Sequence, residues 1–112
     1  GGGADLLQGD AGNDKYLYML ATDSTAANRD TIRGFAAGDK IDLAMIDANG
    51  GAAGDGAFTF IGTGAFTNVA GQLRYTQSGA DAIVQGDTNG DGIVDFEILV
   101  SGFTPVAGDF IL

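Results

Sequence analysis

Cysteine and histidine are both absent from the 112 residues. Without cysteine there is no disulfide framework and no thiol chemistry. Without histidine the sequence lacks the commonest general base, the usual zinc ligand and any Ser-His-Asp arrangement. Catalysis would have to rest on carboxylates alone, and with the acids better used elsewhere the chain is not expected to be an enzyme. Proline and glutamate occur once each, and Lys and Arg together five times. No apolar run approaches the roughly 20 residues needed to cross a bilayer, so membrane insertion is not expected. There is also no initiating Met and no basic-then-apolar leader. The expectation is therefore a processed piece whose export signal lies elsewhere, the C-terminus being a candidate.

What the chain has in quantity is aspartate and glycine. Fourteen Asp, one Glu and five basic residues give a formal charge of −10, and Gly occurs 20 times without a three-residue period. That sign argues against nucleic acid and anionic membrane surfaces as partners. Asp in place of Glu favours turns over helices and carries its carboxylate on a short stem suited to metals. An apolar content of 45% suits one small domain with a modest core.

The acids gather most tightly in Asp87-Thr88-Asn89-Gly90-Asp91-Gly92-Ile93-Val94-Asp95. Oxygen-bearing side chains at positions one, three, five and nine, with the Ile93 carbonyl at seven, form a ligand set for Ca2+, which takes six to eight oxygens. Gly90 and Gly92 permit the bends between them. Asn-Gly and Asp-Gly are also good hairpin dipeptides, but turn chemistry does not account for acids at one, five and nine together. A helix-loop-helix calcium hand fits less well, because its twelfth position is Ile98, with Glu97 one step short. The flanks alternate as strands, Ala82 to Gly86 and Asp95 to Val100, so a hairpin with a metal-filled turn is predicted. Three carboxylates this close repel one another without a counter-ion, so order should depend on metal.

At the other end, residues 1–8 and 9–17 align with a period of nine: Gly3 on Gly12, Asp5 on Asp14, Leu7 on Tyr16. This is the G-G-x-G-x-D-x-U-x nonapeptide, whose Gly-rich half turns while its apolar position packs inside a short strand. It resembles the RTX family of calcium-binding repeats, which wind into a parallel β-roll. The resemblance implies that residues eighteen apart stack, Asp5 toward Asp23. It also implies calcium sites from Asp5 and Asp14 with Gly3 and Gly12 carbonyls, completed by removed upstream repeats and by Asp23 or Asp30. Two repeats do not hold a roll alone and need a cap.

Further strands are expected at Tyr16–Leu20, Ile41–Leu43, Phe58–Ile61 and Leu73–Thr76, with Phe66 as a core anchor. Asp30-Thr31-Ile32-Arg33-Gly34-Phe35 followed by Gly38-Asp39-Lys40-Ile41-Asp42-Leu43-Ala44-Met45-Ile46-Asp47 resembles the signature at the C-terminal end of secreted serralysin-type metallopeptidases, with Gly34 where an acid is customary. The terminal Asp109-Phe110-Ile111-Leu112 resembles the uncleaved signal read by type I exporters; it would equally serve as a last edge strand. The resemblance spans the whole chain. It implies an all-β fold: the end of a roll over 1–20, capped by a mostly antiparallel, sandwich-like region over 21–112, continuous with it as one domain. It also implies a bacterial, extracellular, calcium-ordered folding and secretion module, with the exporter as a transient partner and an upstream catalytic or effector domain in the same chain, plausibly a zinc peptidase. The alternative from the same resemblance is a calcium-dependent polysaccharide-binding or surface-anchoring module of an epimerase or surface-layer protein.

Overall fold

Short segments that bury every second side chain need a partner sheet on the buried side, and this chain supplies it by alternating between two sheets. A computed structural model describes residues 6–8, 12, 14–18, 24–25, 29–36, 38–44, 46 and 58–112. Its strands are β1 (Leu6–Gln8), β2 (Lys15–Leu17), β3 (Asp30–Arg33), β4 (Lys40–Asp42), β5 (Thr59–Phe60), β6 (Gln72–Ser78), β7 (Asp81–Asp87), β8 (Phe96–Val100) and β9 (Phe110–Ile111). The larger sheet has the order β1-β3-β8-β7-β6-β5 and the smaller β2-β4-β9. The chain is all-β, and the helical piece among the described residues is one 3₁₀ turn over Ala107–Asp109.

Three rungs are stacked in parallel. Leu7 pairs with Ile32 and Ile32 with Val100 in one sheet; Tyr16 pairs with Ile41 and Ile41 with Phe110 in the other. The nine-residue period survives as the step between sheets, from Leu7 to Tyr16 and from Ile32 to Ile41. Ile32, Ile41 and Val100 are fully buried and Tyr16 and Phe110 nearly so. Each such side chain contributes about 1.5–3 kcal/mol by leaving water.

The expected eighteen-residue stacking is not what forms. Partners in these ladders are twenty-five apart, as Leu7 and Ile32 or Tyr16 and Ile41 are, so seven more residues lie between the rungs than an eighteen-residue repeat supplies. Ser24, between β2 and β3, is fully buried and anchored. Its carbonyl accepts the Glu97 N–H at 3.0 Å, and its hydroxyl accepts the Asp30 N–H at 2.8 Å while donating to the Glu97 carbonyl.

Between the second and third rungs the chain makes a long excursion. β6 and β7 form an antiparallel hairpin registered from Gln72↔Asp87 to Ser78↔Asp81, and β7 pairs antiparallel with β8 from Ala82↔Val100 to Gly86↔Phe96. This places the loop 88–95 at one end of the larger sheet. Leu73, Val84, Phe96 and Ile98 point into the core. Phe66 does not join them: it is half-buried in the loop before β6, with the Arg74 guanidinium carbon 6.0 Å from its ring centre. The cause is the pleat, since Leu73 and Tyr75 take the inner face and Arg74 the outer one.

Candidate metal centre

The β7–β8 connection is built by aspartates that hydrogen-bond the backbone just ahead of them. Asp87, the last residue of β7 and fully buried, takes the N–H groups of Asn89 (3.3 Å) and Gly90 (2.9 Å) on Oδ1 and that of Gly92 (2.8 Å) on Oδ2. Asn89 Oδ1 accepts from Asp91 N–H at 3.2 Å, and Asp91 Oδ1 from Ile93 N–H at 2.9 Å. Asp95 Oδ2 accepts both the N–H and the hydroxyl of Thr88, at 3.0 and 3.1 Å. The Asp95 N–H closes the hairpin on the Gly86 carbonyl at 2.8 Å. These side-chain-to-backbone bonds favour turns over ladders.

The winding turns the acids toward one another. Asp87, Asp91 and Asp95 each offer an oxygen within 4.8 Å of the others, Asp87 buried, Asp95 half-buried and Asp91 exposed. Among the described residues no other trio of acids converges this way. No basic side chain neutralises it, as the ion pairs among described residues are Lys15–Asp42 and Arg29–Glu97. The donor set fits a hard cation: carboxylate oxygens with an amide and a backbone carbonyl in reach of the same turn. Two glycines are required here. Gly90 (φ +78°) would place a Cβ 2.9 Å from the Ala70 nitrogen, and Gly92 (φ +77°) one 2.5 Å from Asn68 Oδ1. The loop thus leans on the turn at residues 68–70, a neighbour that nothing in the sequence pattern announces.

The residues expected to bind in the roll are described only in part. Gly3, Asp5 and Asp23 lie outside the described residues. Gly12 is exposed with φ +100°. Asp30 is buried at the start of β3. Asp14 is half-buried, and its Oδ2 is enclosed without a hydrogen-bond partner among the described residues. Among the described residues neither Asp14 nor Asp30 belongs to a converging trio of acids. By the observed offset, the strand position that matches Asp5 in sequence is Asp30.

Asp39, which sequence reasoning did not single out, is the tie between the first two rungs. It is 1% exposed; Oδ1 accepts the Asp14 N–H at 2.8 Å and Oδ2 the Ala36 N–H at 2.9 Å, while its own N–H bonds the Ala36 carbonyl at 3.0 Å. The signal was present: with an offset of twenty-five, Gly9 falls on Gly34, Asp14 on Asp39 and Lys15 on Lys40. The chain end repeats the device. Gly34-Phe35…Gly38-Asp39 is echoed by Gly102-Phe103…Gly108-Asp109, with Phe35 and Phe103 rings 4.9 Å apart. Asp109 Oδ2 accepts the Val106 N–H at 2.9 Å, and its N–H returns to the Val106 carbonyl at 2.9 Å. Of the four terminal residues, Asp109 and Phe110 are buried, the Ile111 carbonyl accepts Leu43 N–H at 2.8 Å, and Leu112 is exposed at the edge.

Comparison with known proteins agrees with this architecture. No curated protein matches the chain. The family model described as peptidase M10 serralysin C terminal matches residues 1–112, and the C-terminal portion of a serralysin is a non-catalytic module of a secreted RTX-type protein. The chain therefore belongs to the serralysin C-terminal family of the M10 peptidases.

Proposed function

We propose that this chain is a calcium-dependent folding and secretion module, held extended by its own charge before export and closed by Ca2+ outside the cell. The observation that carries the reading is the convergence of Asp87, Asp91 and Asp95 at the turn joining two core strands. Asp87, Asn89, Asp91, the Ile93 carbonyl and Asp95 would hold the ion, whose contribution is to neutralise the three carboxylates. The chain does the rest. Backbone N–H groups fix the rotamers of the acids, Gly90 and Gly92 let the loop seat on residues 68–70, and β8 is drawn into register between β3 and β7. Once β8 is seated, the third rung and β9 can close.

Extracellular calcium modules bind at about 0.1–1 mM. An ion at 100 times its dissociation constant adds about 2.7 kcal/mol per site, a decisive share of the 5–15 kcal/mol typical of a domain. The expected result is loss of the β signal in circular dichroism on adding a chelator, and its return with calcium but not magnesium. A melting curve unmoved by chelator would remove metal from the account.

The terminal residues give the export half of the reading its support. Asp109, Phe110 and Ile111 are committed to the third rung once folded, so an exporter that reads them would have to do so earlier. Deleting Asp109–Leu112 should trap the chain inside a cell that carries a type I exporter, and normal secretion of the truncated chain would sink the signal assignment.

A further inference from the structure

We infer that the cleft between Phe66 and the metal loop is a receptor for a carboxylate carried on an apolar body, such as a peptide C-terminus with an apolar last residue. The cleft has a volume of about 380 Å³ and is lined by Ala65, Phe66, Arg74, Gln85, Gly92 and Val94. That is the size of a small-molecule site, at the lower end of the usual range of about 300–1,000 Å³, and far short of a protein interface. Its charge is the guanidinium of Arg74. In a chain with fourteen aspartates, none lies within ion-pair distance of Arg74 among the described residues. Arg74 is instead held by three neutral acceptors: Nε donates to the Gly64 carbonyl at 2.8 Å, Nη2 to the Thr63 carbonyl at 3.3 Å, and Nη1 to Gln85 Oε1. A guanidinium has five N–H donors, so two remain on a head already fixed in direction. A rigid cation with spare donors and no carboxylate within ion-pair distance among the described residues is suited to a carboxylate.

The walls decide what carries that carboxylate. Ala65, Val94 and the Phe66 ring are apolar, and the polar neighbour is partly engaged: Gln85 accepts from Arg74 and donates one Nε2–H to Glu97 Oε1 at 3.0 Å, which leaves it one N–H. The cleft therefore has one point of charge recognition and a single amide beside it, a poor set with which to read several sugar hydroxyls. An apolar acid fits it better than a uronate.

The test uses the folded, calcium-loaded protein with ¹⁵N-detected NMR and calorimetry. The probes are acetyl-Ala-Leu as the free acid, the same dipeptide as its carboxamide, 4-methylpentanoate, and a trigalacturonate. The acid should saturate, shifting the Arg74 Nε–H and the amides of residues 64–66 and 92–94, with the carboxamide at least about tenfold weaker. Equal binding of 4-methylpentanoate would assign the site to free apolar acids; a clear preference for the dipeptide would assign it to peptide ends. Arg74→Gln should lower affinity by about tenfold or more, and Arg74→Lys, which keeps the charge, by less. The wild-type contrast between acid and amide stands even if Arg74→Gln loosens residues 63–66. No saturation by either acid up to about 10 mM, equal binding of acid and amide, or preference for the trigalacturonate would overturn the inference. An unfolded circular dichroism spectrum in calcium would instead indict the metal reading of the neighbouring loop, on which the position of Gly92 and Val94 rests.

Discussion

Asp39 and Asp87 are both fully buried aspartates at the ends of core strands, and the chain treats them in opposite ways. Asp39 divides its oxygens between N–H groups of two different segments, Ala36 and Asp14, and belongs to no converging trio of acids among the described residues. A carboxylate satisfied in that way is stable by itself, since hydrogen bonds to a charged acceptor contribute about 1.5–3 kcal/mol each. Asp87 takes three N–H groups from its own loop, yet stands within reach of Asp91 and Asp95. Hydrogen bonding orients it without removing the repulsion. On the proposed reading, one aspartate is a fastener that works in any medium, the other part of a fastener that needs a cation.

The largest effect should come from breaking the metal-independent tie. Asp39→Ala removes a buried carboxylate and leaves the Ala36 and Asp14 N–H groups without their charged acceptor. Its expected cost is about 3 kcal/mol or more, measured by urea unfolding in saturating calcium. Asp39→Asn should cost about half as much, because the amide keeps one acceptor oxygen. The loss should be the same with calcium present or absent for whatever fraction remains folded. A loss that appeared only in calcium would make Asp39 a ligand and erase the contrast with Asp87.

The frame of the metal loop comes next. Gly90→Ala forces a left-handed backbone on a residue with a Cβ and drives that atom toward the Ala70 nitrogen. The expected cost is about 1–3 kcal/mol, accompanied by weaker calcium binding in calorimetry, because the same backbone positions Asp87 and Asp91. Unchanged affinity at reduced stability would mean that the ligands do not depend on how the loop leans on residues 68–70.

How much of this could be read beforehand follows from where the determining contacts lie. The nine-residue period gave the step between sheets because it is a local property of the chain, and the alternation around Ile41, Leu73 and Val84 gave the strands for the same reason. The loop Asp87–Asp95 was legible as a unit because its side-chain-to-backbone hydrogen bonds all close within nine residues, whereas the turn at 68–70 on which it leans was not. The stacking distance was not either, since it depends on how the segment between β2 and β3 is anchored, and Ser24 there bonds Glu97, seventy-three residues away. Nor was the third rung, although its Gly-Phe…Ala-Gly-Asp echo of residues 34–39 was in plain sight. Two extra residues, Thr104 and Pro105, break the spacing that a periodicity search relies on. Phe66 was misplaced because an aromatic next to a strand looks the same in sequence whether it faces the core or shelters under an arginine.

The smallest effect is the most discriminating, because its sign should change with the medium. Asp91 is exposed, and its side chain bonds only the Ile93 N–H within the loop. In chelator, Asp91→Ala should leave stability within about 0.5 kcal/mol of the parent chain. The direction should favour the variant, since removing one of three neighbouring carboxylates relieves repulsion. In calcium the same variant should be the less stable of the two, by the binding free energy it forfeits at the hairpin, and calorimetry should show reduced affinity there. The crossing of two unfolding curves as calcium is raised is an outcome that a purely structural turn does not produce. In such a turn Asp91 would act only through its bond to Ile93, and its replacement would cost the same small amount in either buffer.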